Sequence, residues 1–368
     1  MAESEQRPTG ARFAVEIRYV GEAGGIEETL ARRANIPFSA VDSGQIRGRA
    51  PWVVARNLAR MGRGAQQCST LIREFKPDVA FITGGYVTAP LAWAAARARP
   101  KVPLLIYLPD LTPGQAIRLT SRLAVAVAVS FPEVAPYFPG KAVVTGYPVR
   151  PELLAARKDT ARAALNLRHD LPLLLVFGGS RGSHSINQAL LAALPHLLPI
   201  CQVVHISGQY DWPEIGDSGL RIAGEFAANT GQPDVRYHPF PYLHDEMVQA
   251  LAAADLVIAR AGASVLGEFP AVGLPSILAP YPYAGQHQDA NAAYLADRGA
   301  ALVVSDSELA GRLAPIVLGL FTEPERLAAM ATSAKALARP GAAAAIAHEL
   351  RQLAGVTAQV ASGSGKEP

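Results

Sequence analysis

Two stretches constrain this chain more than any others: Leu173-Leu-Leu-Val-Phe-Gly-Gly-Ser-Arg-Gly-Ser-His-Ser-Ile-Asn187 and Ala259-Arg-Ala-Gly-Ala-Ser-Val-Leu-Gly-Glu268. Each reads as an apolar strand, a glycine-rich turn and the start of a helix. A helix start presents unpaired backbone N–H groups and the positive end of the helix dipole, so it favours an anion. One such turn is no more than a tight corner. Two in the same half of a chain point to a diphosphate-bearing ligand held on backbone amides.

The same strand–helix alternation extends along the chain and predicts parallel sheets covered by helices on both faces. Strands are expected at 13–20, 79–82, 102–108, 124–130 and 142–145, and a helix at 24–34. In the second half strands are expected at 173–177, 203–207, 235–238, 256–259, 276–279 and 301–304. The turn-forming run Gly146-Tyr-Pro-Val-Arg-Pro151 marks a boundary. The 368 residues suit two domains, 1–148 and 149–355, facing a cleft, with a disordered tail over 356–368.

Half of the residues are hydrophobic and 18% are charged, as in a globular protein. Two cysteines, Cys68 and Cys201, are too few for a disulfide framework or a four-ligand zinc site, and fit a reducing, cytoplasmic setting. The polar start, Met1 to Gly10, has no signal-peptide core, and no run of 18 apolar residues could span a bilayer. Residues 1–150 hold 19 Lys/Arg against 11 Asp/Glu, whereas 151–368 hold 15 against 20. A basic first half suits an anionic partner or a solvated arginine face. No nucleic-acid-reading motif accompanies the charge, so that class is set aside.

Several residues suggest roles by chemistry alone. Phe177-Gly178-Gly179-Ser180 brings amides and a hydroxyl to the end of a strand, where open α/β sheets bind ligands. Gly262 to Gly267 does the same on another strand. Glu268 suits a ribose cis-diol, or equally complements the dipole of its own helix. Gln286-His-Gln-Asp-Ala-Asn291 could read sugar hydroxyls or be a polar loop.

Gly178-Gly-Ser-Arg-Gly182 with Asn187, Arg260-Ala-Gly-Ala with Glu268 and Ala271-Val-Gly-Leu-Pro275, and His287-Gln with Asn291-Ala together closely resemble the donor domain of the MurG family. Gly84-Gly-Tyr-Val-Thr-Ala-Pro90 and Gly146-Tyr-Pro-Val-Arg150 extend the likeness into the first half. The resemblance runs from about Phe13 to about Leu350. It implies an α/β chain of GT-B fold, with two Rossmann-like doubly wound domains. It implies inverting transfer of N-acetylglucosamine from UDP-GlcNAc to lipid I, giving lipid II for peptidoglycan, with no cofactor and no metal. The absence of an Asp-x-Asp pair in a suitable loop agrees with that. By position, Arg150 and Leu243 would lie near the uracil, and Gly178, Gly179, Ser180 and Asn187 at the diphosphate loop. Gly262, Ala263, Ser264, Val265, Leu266 and Gly267 would line the phosphates, and Glu268 would bind the ribose. His287, Gln288 and Asn291 would read the sugar. Gly84, Gly85, Tyr86 and Asp110 would stand on the acceptor side.

Departures from the family pattern fall mostly on that side. The family opens with a strand and a Gly-Gly-Thr-Gly-Gly-His loop whose histidine is the favoured general base. No such loop precedes Phe13 here, so a mis-assigned start is the expected explanation. Leu108-Pro109-Asp110 replaces the family's Glu-Gln-Asn, leaving Asp110 as the candidate base or, more simply, a turn cap. Val265 replaces a threonine. A transferase with another lipid acceptor, such as a diacylglycerol, and a non-catalytic nucleotide-sugar-binding protein therefore stay open. The run Pro51 to Arg63 reads as an amphipathic helix, packed on the sheet or laid on an anionic membrane. The resemblance favours a peripheral position on the cytoplasmic face of the membrane. Oligomeric state has no signature in the sequence.

Overall fold

The computed structural model describes residues 14–44, 51–85, 87–179, 181–231, 236–283 and 287–355. Contacts divide the chain into two compact units, Met1–Leu104 with Gln115–Val125, and Leu105–Gly114 with Ala126–Pro368.

In the first unit, strand β1 (Tyr19–Gly21), helix α1 (Ile26–Arg33) and strand β2 (Phe38–Ala40) make a small parallel βαβ turn with Tyr19 opposite Phe38. The strand expected over 13–20 is thus mostly absent: the ladder starts only at Tyr19, and Phe13 lies outside the described residues. Val15 and Ile17 alternate with polar neighbours as a half-buried strand would, yet they are 76% and 54% exposed. Alternation needs a sheet to face, and residues 14–18 have none among the described residues. Strand β2 was not expected.

Helix α2 (Pro51–Phe75) buries a narrow stripe, Asn57, Gly64, Cys68 and Ile72. At Gly64 a Cβ would stand 1.9 Å from the Asp42 carbonyl oxygen, so only glycine allows this approach. The basic residues of α2 do not all face outward. Arg63 lies 3.4 Å from Asp42, and Arg60 lies 3.2 Å from Glu22 and 3.8 Å from Asp42. Trp52 and Leu58 are exposed, and Arg49 lies outside the described residues. Strand β3 (Ala80–Ile82) leads through Gly84 and Gly85 to α3 (Thr88–Arg97).

Strand β4 (Leu104–Leu108) is followed by α4 (Gln115–Thr120), which belongs to the first unit, then by β5 (Ala126–Val129) and β6 (Ala142–Val144). The sheet order is β3-β4-β5-β6, with Leu105 opposite Ala126 and Val127 opposite Ala142 in parallel register. Short helices α5 (Pro151–Ala155) and α6 (Lys158–Ala164) come next.

The remaining elements build the large sheet of the second unit. They are β7 (Leu173–Phe177), α7 (His184–Leu197), β8 (Gln202–Ile206), α8 (Trp212–Thr230), β9 (Tyr237–Phe240), α9 (Met247–Ala253), β10 (Leu256–Ala259), α10 (Val265–Val272), β11 (Ser276–Leu278), α11 (His287–Ala296) and β12 (Ala301–Val303). Helices α12 (Leu309–Thr322), α13 (Pro324–Ala336) and α14 (Ala342–Leu353) follow, and the disordered tail expected over 356–368 lies outside the described residues. All six strands are parallel, in the order β12-β11-β10-β7-β8-β9. The chain runs outward from β7 to β9, then returns to β10 on β7's other side and runs outward again. The winding therefore reverses between β7 and β10, and the crevice beyond the carboxyl ends of those two strands is where such sheets bind ligands. Strands β7 and β10 are buried along almost their whole length, which explains their unbroken apolar runs, and β8, equally buried, carries Gln202 and His205 on hydrogen-bond partners. Ile346 of α14 joins Leu105, Tyr107, Ala126 and Ala128 in a separate core cluster.

Candidate functional site: a crevice at the strand reversal

The loop after β7 is shaped by backbone approaches that admit no side chain. A Cβ on Gly182 (φ +79°) would stand 2.3 Å from the Ser207 carbonyl oxygen, and one on Gly208 (φ +86°) would stand 2.5 Å from the Gly182 Cα. The loops after β7 and β8 are thus pressed together, backbone to backbone. Gly178 is similarly closed off by Ser183. Gly179 differs: its φ of +92° calls for glycine, but a Cβ there would meet nothing within 4 Å. Its backbone faces open space, as a phosphate-binding turn requires. Ser180 lies outside the described residues.

Asn187 lies beneath this loop, fully buried. Its Nδ2 donates to the Ser207 carbonyl at 2.9 Å and to Asp211 Oδ2 at 2.8 Å. With both amide hydrogens used, Oδ1 accepts from His205 Nε2 at 3.0 Å, and His205 Nδ1 then accepts from the Tyr237 hydroxyl at 2.8 Å. Burial pulls the His205 pKa down to about 3, so the ring is neutral. Asn187 therefore holds the loop rather than facing a ligand.

The loop after β10 supplies the second set of amides. The N–H groups of Val265, Leu266 and Gly267 are turned back to Gly262, Ala263 and Ser264 carbonyls, and the Val265 and Leu266 side chains are buried. The amides of Gly262, Ala263 and Ser264 have no backbone partner among the described residues, and Gly262 opens on free space. Of the six residues expected along the phosphates, the first three present open amides. Gly267 instead admits the Tyr147 ring, 2.2 Å from where a Cβ would be. The next residue, Glu268, lies 3.4 Å from Arg150 Nη2. Burial raises the Glu268 pKa, and Arg150 opposes the rise without cancelling it. Two residues expected at opposite ends of a nucleoside thus form one ion pair. Leu243 is buried in the loop after β9.

A third loop, between β11 and α11, is tied to the first two by Arg260, which the sequence did not single out as a site residue. Its guanidinium donates to the Ala279 and Pro280 carbonyls at 3.0 and 3.3 Å and to Ser185 Oγ at 2.8 Å, and pairs with Asp306 at 2.5 Å. Gln288 Oε1 accepts from the Tyr281 amide at 2.9 Å. His287 Nδ1 lies 2.5 Å from Thr112 Oγ1. Asn291, almost fully buried, donates to Asp110 Oδ1 at 3.1 Å and to the Ala261 carbonyl at 3.0 Å, while its Oδ1 accepts from the Leu111 amide at 3.4 Å. Asp110, expected on the acceptor side as the candidate base or as a turn cap, is therefore tied to Asn291, which was expected to read the sugar. Gly84 and Gly85 belong to the first unit, with positive φ and nothing within 4 Å of where a Cβ would be. Tyr86 lies outside the described residues.

A parallel sheet whose strand reversal is flanked by two open glycine turns, a carboxylate and an amide cluster defines a nucleotide-sugar-handling α/β protein of GT-B type. Residues 11–129 match the N-terminal domain of glycosyltransferase family 28, and residues 173–346 match its C-terminal domain. A UDP-N-acetylglucosamine–N-acetylmuramyl-(pentapeptide) pyrophosphoryl-undecaprenol N-acetylglucosamine transferase of Roseiflexus sp. is 42% identical, covering 91% of this chain and 83% of its own. The enzyme of the same name from Desulforudis audaxviator is 41% identical, covering 92% and 91%. The crystal structure of Acinetobacter baumannii MurG superposes with a TM-score of 0.71 at 25% identity, covering 92% and 91%. The chain belongs to the MurG family of glycosyltransferases.

Proposed function

We propose that this chain transfers N-acetylglucosamine from UDP-GlcNAc to lipid I, with inversion at the anomeric carbon, giving lipid II. The observation that carries this reading is the pairing of two open glycine turns, at Gly179 and at Gly262 to Ser264, across the strand reversal of one sheet. That arrangement suits a diphosphate. The names of the relatives specify the sugar and the acceptor. In the reaction the acceptor hydroxyl attacks the anomeric carbon, the bond to the diphosphate breaks, and UDP leaves with the electron pair. Backbone amides aimed at the diphosphate stabilise that charge. Glu268, steadied by Arg150, binds the ribose, and Gln288 and His287 orient the sugar, while Asn291, expected to read it, is buried with both its amide hydrogens and its oxygen engaged and instead fixes Asp110. Asp110 is the candidate base for the acceptor proton. Asp110→Asn should slow transfer by roughly 10²- to 10⁴-fold if it fills that role, and an unchanged rate removes it. No metal takes part in this reading, so transfer should survive a chelator.

The acceptor is lipid-linked, and the first unit offers a surface for a bilayer. Helices α3 and α4 and the turn after them expose Trp93, Leu119 and Leu123 beside Arg97, Arg118 and Arg122, with the Arg97 guanidinium 4.2 Å over the Trp93 ring. Apolar side chains rimmed by arginine suit an anionic headgroup layer on the cytoplasmic face. No helix among the described residues is long and apolar enough to cross a membrane. Co-sedimentation with vesicles containing phosphatidylglycerol, reduced by Trp93→Ala with Leu119→Ser, tests this placement. Equal sedimentation of the double variant would reject it.

A further inference from the structure

His184 opens helix α7 directly after the first glycine turn, with its side chain 63% exposed and Nδ1 3.3 Å from Asp211 Oδ2. Asp211 is held in place, because the same oxygen accepts from Asn187 Nδ2. Asn187 is held by His205, and His205 by Tyr237. A connected line of polar contacts therefore runs from a buried tyrosine to an exposed imidazole. At the outer end stands a ring with Nδ1 turned to a carboxylate, so Nε2, on the far side of the ring, points away from it.

Most other cations of these loops are engaged elsewhere. Arg260 is spent on two carbonyls, Ser185 and Asp306, and Arg150 lies against Glu268. Arg181 is exposed with no carboxylate partner among the described residues, and nothing orients it. Among the described residues of these loops, His184 combines exposure, a position directly after the glycine turn and a fixed direction.

We propose that His184, oriented by Asp211, binds the diphosphate of the donor through Nε2–H and steadies the charge that develops as UDP departs. This rests on the reading of the second unit as a nucleotide-sugar site. With Nδ1–H given to Asp211, Nε2–H is the donor left for a phosphate oxygen. In the step it assists, the anomeric C–O bond to the diphosphate breaks and its electron pair stays on the phosphate oxygen. The acceptor oxygen forms the new C–O bond, and the acceptor proton passes to a carboxylate or water. His184 supplies a hydrogen bond and gives up no proton. Asp211 is a positioning residue, acting only through the imidazole.

The test compares wild type with His184→Ala, His184→Arg and Asp211→Asn, measuring kcat and KM for transfer and UDP affinity by calorimetry. His184→Ala should lower kcat by on the order of 10- to 100-fold, as for loss of a hydrogen bond to a charged group. KM for UDP-GlcNAc should change less, because the charge is greatest at the transition state. His184→Arg should recover most of the rate. Asp211→Asn should lower kcat by less than His184→Ala. The exposed position of His184 leaves folding intact, which thermal unfolding verifies. A His184→Ala variant as fast as wild type overturns the proposal, as does an arginine variant no faster than the alanine one. Wild-type protein that binds no UDP would instead overturn the donor-site reading beneath it.

Discussion

Acidification should destabilise this protein through one buried histidine. His205 is completely buried, its Nε2 on Asn187 and its Nδ1 on Tyr237, and burial pulls its pKa from 6.5 to about 3. The unfolded chain takes up a proton at this ring as the pH falls through 6.5, whereas the folded chain does so only near 3. The stability gained from the neutral ring is therefore complete above 6.5 and is lost progressively below it, levelling off near the folded value. One pH unit below the unfolded pKa the loss is about 1.4 kcal/mol. Urea unfolding at about pH 7.5 and about pH 5.5 measures this directly, with His205→Gln as the reference. The variant should be less stable at both pH values, because Tyr237 and Asn187 lose a partner, but its stability should fall less with acid, by that same 1.4 kcal/mol or so. Equal acid sensitivity of the two proteins would refute the claim that His205 is held neutral.

Three further outcomes follow from the geometry. Gly182→Ala should destabilise far more than Gly179→Ala in thermal unfolding: both carry positive-φ strain of roughly 1 to 3 kcal/mol, but only at Gly182 does the added carbon collide with backbone. Because burial raises the Glu268 pKa, donor affinity measured by calorimetry should weaken on acidification at a higher pH than an ordinary carboxylate would give, and Glu268→Gln should abolish that dependence. Asp255 holds the nearly buried Arg162 at 2.6 Å, pairs with Lys158 and accepts from the Leu173 amide, so Asp255→Ala should cost about 3 to 5 kcal/mol in denaturant unfolding by leaving the buried Arg162 charge on backbone carbonyls without a carboxylate.

The elements written as local patterns were legible in the sequence. Strands β7 and β10 stand where the aliphatic runs placed them, each followed by its glycine turn and helix, because burial on both faces demands such runs. The first strand was misplaced because Val15 and Ile17 satisfy an alternation rule that is blind to whether a sheet lies alongside. Strand β2 escaped because Phe38-Ser-Ala40 is too short to show a period. At the site, the glycines, Glu268, Gln288 and Asn291 could be named from spacing and resemblance. What their side chains meet could not. Arg150 against Glu268, Asp110 against Asn291 and Arg260 across three loops join residues far apart in the chain, and no local rule relates them. Asn187 shows the same gap from the other side: the motif marks its importance, but only the structure shows it working from beneath the loop.

The central claim is most directly tested by incubating the purified protein with UDP-GlcNAc labelled in the sugar and lipid I in anionic vesicles, following UDP release and lipid-linked label together. The account predicts labelled lipid II formed in step with UDP, one for one, and undiminished by chelator. UDP-GlcNAc bound without label reaching the lipid, or UDP released with the sugar passing to water, would contradict it.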